Sequence, residues 1–151
     1  MLELARESDF EAIRRLSVQI HDLHAAWRPD IYFHSDEPYA RDAFLEDVKN
    51  RMLYTAKLGD TVVGYVVLSV SEKSGPGVVS KKVMRLDSIC VDEDFRGHGI
   101  GKAMVADVRA LARAFRCREL VLGVHPENDG AVAFYQKCGF RIRTINMDMH
   151  L

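Results

Sequence analysis

Apolar positions along the chain change their period several times, and each change marks an element. Leu2 to Ala5 suit a short first strand. Ser8 and Glu11 then have the spacing of a capping box, which announces a helix. Ile13, Leu16, Ile20, Leu23 and Trp27 recur at steps of three and four, giving one apolar face, and Pro29 stops it. Pro38 suits the first turn of a second helix, with Phe44, Leu45, Val48 and Met52 on its buried side. Met52 to Lys57 and Thr61 to Val70 read as strands joined by Gly59-Asp60, a hairpin turn with glycine at its first central position. Ser74 to Gly77 reads as a surface loop.

The second half repeats a strand–helix alternation. Val83, Leu86, Ile89 and Val91 partly alternate as in a half-buried strand. From Ile100, the positions Met104, Val105, Val108, Leu111, Ala112 and Phe115 return to helical spacing. Glu119 to Val124 is a short apolar strand in which Gly123 suggests a bulge, and His125-Pro126 ends its pairing. Asn128 caps a helix carrying Ala131, Phe134, Tyr135 and Cys138, and Gly139 terminates it. Phe140 to Met149 supplies a last strand. The order predicts a mixed α/β protein of one domain over residues 1–151, with no repeat or linker.

Composition narrows the function. A hydrophobic fraction of 48% with 28% charged residues is that of an ordinary globular chain. A net charge of -1 gives no basic field for nucleic acid. Cys90, Cys117 and Cys138 are odd in number and match no zinc spacing, so reduced thiols and no metal are expected. No apolar run approaches the ~20 residues of a membrane span. The N-terminal stretch is acidic and amphipathic, unlike a signal peptide. A cytoplasmic protein without a membrane partner is the expectation.

The candidate chemistry lies between the strand ending at Val91 and the helix from Ile100. Arg96-Gly97-His98-Gly99-Ile100-Gly101 joins them. Glycines allow positive φ and close backbone approach, while helix-start amides lack partners and carry partial positive charge. Arg96 adds a cation, so a phosphate or diphosphate is the natural guest. The P-loop signature fails, because Arg96 stands where its first glycine belongs and Ala103 where Ser or Thr belongs. The dinucleotide fingerprint G-x-G-x-x-G fails too, since Gly97, Gly99 and Gly101 give G-x-G-x-G.

The pattern Arg96, Gly99, Gly101 after a strand ending Ile-Cys-Val-Asp resembles the GNAT superfamily of acyl-CoA-dependent N-acetyltransferases. The stretch Asn128 to Phe140 resembles the later N-x-x-A-x-x-x-Y-x-x-x-G-F segment of the same superfamily. The resemblance implies the GNAT acyl-CoA N-acyltransferase fold. In it a central, mostly antiparallel mixed sheet is flanked by helices and splayed at the central strands. It implies acetyl-CoA as donor and direct attack by a primary amine of a small molecule, peptide or protein. A non-catalytic acyl-CoA sensor of the same fold is the alternative. A homodimer is the assembly that the family suggests.

By the same resemblance, the diphosphate sits on the amides of Arg96, Gly97, His98, Gly99, Ile100 and Gly101. Lys102 is either a phosphate partner or an exposed lysine. Ile89, Cys90 and Val91 offer backbone to the pantetheine arm, and Asn128 adds a hydrogen bond to it. An amide near Val91 is the oxyanion donor, worth about 3 kcal/mol. Tyr135 stands where the superfamily carries its general acid. Some members that acetylate protein N-termini place a Glu base in a Leu-Glu-Val context. Here the residues are Leu122-Gly123-Val124, so that base is absent; Asp87 and His125 are candidates, and a remote base acting through water is the alternative. The segment from His21 to Glu37 is either part of the acceptor site or a packed loop.

Overall fold

The computed structural model describes residues 1–151. Its order is β1 (Leu2–Leu4), α1 (Phe10–Trp27), α2 (Arg41–Lys49), β2 (Leu53–Leu58), β3 (Thr61–Gly75) and β4 (Val78–Val91), then α3 (Ile100–Ala114), β5 (Glu119–Leu122) and α4 (Asp129–Lys137). The five strands form one sheet in sequence order. β1 to β4 are antiparallel, and β5 lies parallel to β4 beyond the α3 crossover.

Each face of the sheet carries its own core. Phe10, Ile13 and Leu16 of α1 and Phe44 of α2 pack with Leu53, Val62, Tyr65 and Cys90 on one face. Ile100, Met104, Val108 and Ala112 of α3 pack with Ala56, Val66, Leu68, Met84 and Leu86 on the other. Ile13, Leu16, Phe44, Met104 and Val108 have no exposed surface, so each side chain contributes roughly 1.5–3 kcal/mol of burial. The helical stripes read from the sequence therefore face where their spacing required.

Several boundaries differ from expectation for local reasons. The chain enters α1 through a 3-10 turn, Glu7–Asp9, and the Asp9 carboxylate accepts from the Arg6 amide at 2.9 Å. This closure replaces the Ser8–Glu11 box, and Glu11 pairs with Arg14 at 3.1 Å instead. α2 begins at Arg41 rather than at Pro38, with Glu37 Oε1 accepting from the Arg41 amide at 3.0 Å. Ser74 to Gly77 is the tip of a long hairpin, because β3 and β4 stay paired out to Gly75 and Val78. β5 ends at Leu122, so Gly123 follows the strand and makes no bulge within it.

The largest correction concerns the C-terminal segment. Residues 140–149 form no strand. Ile142, Ile145, Met147 and Met149 are 67–92% exposed. Alternation alone does not make a strand; an edge must supply hydrogen bonds and a surface must take one face.

Two irregularities shape the sheet near the end of β4. Ala56 pairs with Gly64 and Lys57 with Val62, so Val63 is the extra residue of a bulge on β3. Val67 pairs with Ser88 and Leu68 with Leu86, so Asp87 is the extra residue of a bulge on β4. Gly64 lies between β4 and α3, and a Cβ there would sit 2.7 Å from the Cys90 carbonyl oxygen and 3.0 Å from Met104 Sδ. Gly64→Ala is expected to lower unfolding free energy by about 1–3 kcal/mol, since backbone must shift to admit the methyl group. Thermal or urea denaturation measures it, and an unchanged midpoint would contradict the close packing.

Candidate functional site

The sheet opens at one place. The β4–β5 ladder has its last rung at Leu86 and Leu122, whereas β4 continues to Val91 and stays paired with β3 as far as Gly64. The β5 side of Asp87 to Val91 therefore has no strand beside it, and the opening begins at the Asp87 bulge. Bulges frequently lie beside functional clefts because they end pairing and re-aim a side chain. Ile89, Cys90 and Val91, named above as backbone partners for an extended arm, all lie on this stretch. Cys90 faces the α1 core, where its thiol lies 3.4 Å from the Leu16 carbonyl oxygen. Burial pushes that thiol up to about 11, consistent with a packing role.

Beyond Val91 the chain makes a 3-10 turn, Glu93–Phe95, and then the glycine-rich bend. Gly97 and Gly99 both have φ of +81°, and Gly99 is the N-cap of α3. The first helical bond that reaches back is Ala103 N–H to Gly99 O, so the amides of residues 97–102 have no main-chain acceptor. That makes a run of free donors at a helix N-terminus, a concave site for an anion. Gly101 faces Phe134 of α4 and Val91, where a Cβ would make ordinary contacts of 3.5 and 3.6 Å. Lys102 is exposed, and His98 Nδ1 lies 2.9 Å from the Arg96 carbonyl oxygen.

The bend is anchored to α1. Asp92 is almost fully buried and meets Arg15 at 2.7 Å, while Gln19 Nε2 donates to it at 3.2 Å. Gln19 Oε1 accepts from the Glu93 amide at 3.0 Å. Arg96 turns back and donates from Nε to the Val91 carbonyl oxygen at 2.9 Å. Its guanidinium thus clasps the end of β4 as well as bordering the bend, a role that the motif alone does not disclose. The hydrogen bond from Arg15 holds the Asp92 carboxyl below the usual carboxylate range.

On the α1 face of the opening lies a pocket of about 250 Å³. His21 and His24 of α1, Tyr39, Tyr65, Asp87 and Ser88 are among its walls. Tyr39 donates to Asp47 at 2.6 Å and stacks on Tyr65, and Ser88 donates to the Tyr65 hydroxyl at 3.2 Å. Asp87 pairs with Arg85 at 3.0 Å. His125 lies next to this pocket without lining it. Its ring centroid is 5.5 Å from that of His24, and its Nε2 lies 3.4 Å from the Tyr32 hydroxyl. Within the His21 to Glu37 segment, His21, His24 and Tyr32 join this cluster, while His34 is exposed between Asp22 and Asp36.

Tyr135 is partly buried between Phe134 and Phe140, with ring centroids at 5.2 and 5.7 Å. Burial pushes its phenol up to about 12, and the hydroxyl has no hydrogen-bond partner in the protein. Asn128 Oδ1 accepts from the Ala131 amide at 3.0 Å, capping α4 as expected. Sequence reasoning named the His21 to Glu37 segment without singling out His24, and missed the Tyr39–Tyr65–Ser88 wall. The one available signal was the spacing of His21 and His24, which puts both on the same side of a helix.

An α/β sheet split beside a bend of unpaired amides defines a cleft for an extended, anionic ligand. The model of the acetyltransferase (GNAT) family matches residues 2–140, and the chain belongs to that family. An uncharacterized N-acetyltransferase of Methanocaldococcus jannaschii is 32% identical over 120 residues, 77% of this chain. The match spans 51% of that relative, so this chain corresponds to about half of it. Among solved structures, a tetramutant of the BH1408 protein from Bacillus halodurans superposes with a TM-score of 0.95 at 23% identity, covering 100% of this chain and 99% of that one. The aminoglycoside N-acetyltransferase AAC(6')-Iy in complex with CoA superposes with a TM-score of 0.73 at 20% identity, covering 100% and 93%. These likenesses establish a GNAT fold. No helix is long and apolar enough to cross a membrane.

Arg15→Ala tests the anchor of the bend. It leaves a buried carboxylate without its cation and is expected to cost about 2 kcal/mol at neutral pH. Because the Asp92 pKa is depressed in the folded state, its contribution is full above the unfolded carboxylate value and is lost as pH falls through the folded one. The gap between wild type and variant should therefore close in acid, as followed by urea denaturation against pH. A gap that persists unchanged would assign the loss to something other than this ion pair.

Proposed function

We propose that the protein transfers the acetyl group of acetyl-CoA to a primary amine by direct attack. The observation that carries this reading is the adjacency of the free 97–102 amides to the open edge of Asp87–Val91. One feature suits the diphosphate and the other the amide-rich pantetheine arm of the same donor. The family membership and the CoA complex of the aminoglycoside acetyltransferase support the same donor. Strand-like pairing along Ile89 to Val91 would orient the thioester toward the amine pocket. An amide near Val91 would then stabilise the developing oxyanion.

The leaving group departs as a thiolate, and Tyr135 is the proton donor in this reading. Its raised pKa keeps the phenol protonated across the working range, as an acid requires. Asn128 contributes chiefly by capping α4, the helix that carries Tyr135. On the acceptor side, the pocket beside Asp87 and Ser88 suits a primary amine on a small molecule or an extended side chain.

Thiol release from acetyl-CoA with spermidine, an aminoglycoside and a lysine-containing peptide tests the proposal. Wild type should turn over with at least one of them. Tyr135→Phe should reduce turnover roughly 10²-fold while calorimetry shows acetyl-CoA affinity unchanged. Tight acetyl-CoA binding without thiol release from any amine would instead support a non-catalytic acyl-CoA sensor.

A further inference from the structure

We propose that His24 accepts the proton of the attacking amine, an assignment that rests on the transferase reading above. His24 lines the same pocket as Asp87 and Ser88, the residues just past the last β4–β5 rung. Its ring nitrogens have no hydrogen-bond partner in the protein and are not sealed from solvent. An imidazole free at both nitrogens and walling an open pocket can take a proton from a ligand in that pocket.

The neighbouring candidates are committed elsewhere. His21 also lines the pocket, but its Nε2 lies 2.7 Å from the Phe33 carbonyl oxygen and must carry the hydrogen there. His125 stands behind His24 with its Nε2 toward the Tyr32 hydroxyl. Asp87 is paired with Arg85, and a carboxylate is a weaker base than an imidazole. Tyr32 touches all three rings, with centroids 5.7 to 5.9 Å away, and holds the cluster together.

The groups facing His24 also set its charge. His21 faces it from α1, Tyr32 from the following loop, His125 from beyond β5, and Asp87, Tyr39 and Tyr65 from across the pocket. Burial, then His125, then His21 lower its pKa, so it stands neutral and able to accept a proton at physiological pH. The amine nitrogen forms a bond to the thioester carbonyl carbon, and its N–H becomes acidic as that bond forms. His24 takes the proton, the C–S bond breaks, and the thiolate is protonated by Tyr135. His24 then returns its proton to solvent, and the Tyr135 phenolate regains one from solvent.

The test uses trifluoroethylamine, an acceptor small enough for the pocket and uncharged near neutral pH. Amine protonation affects wild type and variants alike, so the part of the acid limb that His24→Gln removes belongs to the protein. Wild type, His24→Gln and His24→Ala are compared in thiol release, and calorimetry measures acetyl-CoA affinity. Wild-type rate should fall in acid through a pKa below the usual histidine value. His24→Gln should lose roughly 10²-fold in rate together with that limb, at unchanged acetyl-CoA affinity. Free imidazole should restore part of the His24→Ala rate. A His24→Gln protein with wild-type rate and pH profile overturns the base assignment alone. So does a variant that loses acetyl-CoA affinity in parallel with rate and shows no rescue. Wild type that binds acetyl-CoA yet releases no thiol with this amine, spermidine, an aminoglycoside or a lysine-containing peptide overturns the base and the transferase reading together.

Discussion

β4 and β5 part company after Leu86 and Leu122, and the rest of the site depends on that parting. Two parallel strands that stayed paired would seal their backbone groups against each other. Here the Asp87 bulge on β4 coincides with the end of β5, so main-chain groups along Asp87–Val91 face a cleft. Backbone polar groups seek partners wherever water is displaced. A ligand able to pair like a strand is what such an edge accepts. The sheet stays intact because β3 holds the other side of β4 through a long hairpin, and Gly64 lets that hairpin close against α3.

The glycine-rich bend with its free amides depends on the same strand. It begins just past Val91, and its position is set by contacts to α1 on one side and by Arg96 clasping the strand end on the other. α1 therefore serves both halves of the site. Arg15 and Gln19 fix the bend through Asp92 and Glu93, and His21 and His24 wall the pocket about a turn further on. A displacement of α1 would disturb the bend and the pocket together. That coupling follows from one rigid helix carrying both sets of residues on different sides, and requires no conformational change.

Local patterns made most of the elements legible. The apolar stripes of α1 and α3, the Gly59 turn, the Asn128 cap and the Gly139 stop are short-range features whose physics is contained in a few neighbouring residues. The shape of the bend was legible because Gly97 and Gly99 take the positive φ that glycine favours, and α3 starts where its apolar spacing begins. What escaped was relational. Asp87 becomes a bulge only through its register with Val67, and His24 meets His125 only because α1 packs near the end of β5. The C-terminal stretch has strand-like alternation yet stays exposed, since pattern cannot supply a pairing edge. The motif presents Arg96 only as a cation, whereas its contact with the Val91 carbonyl oxygen makes it a clasp on the strand as well.

The most direct measurement is amide chemical-shift mapping of the protein with CoA and, separately, with pantetheine, which lacks the diphosphate. If the bend grips the diphosphate, the amides of residues 97–102 shift strongly with CoA and hardly with pantetheine, while both ligands shift Ile89 to Val91. Amides of the bend that stay in place on saturation with CoA would contradict the account.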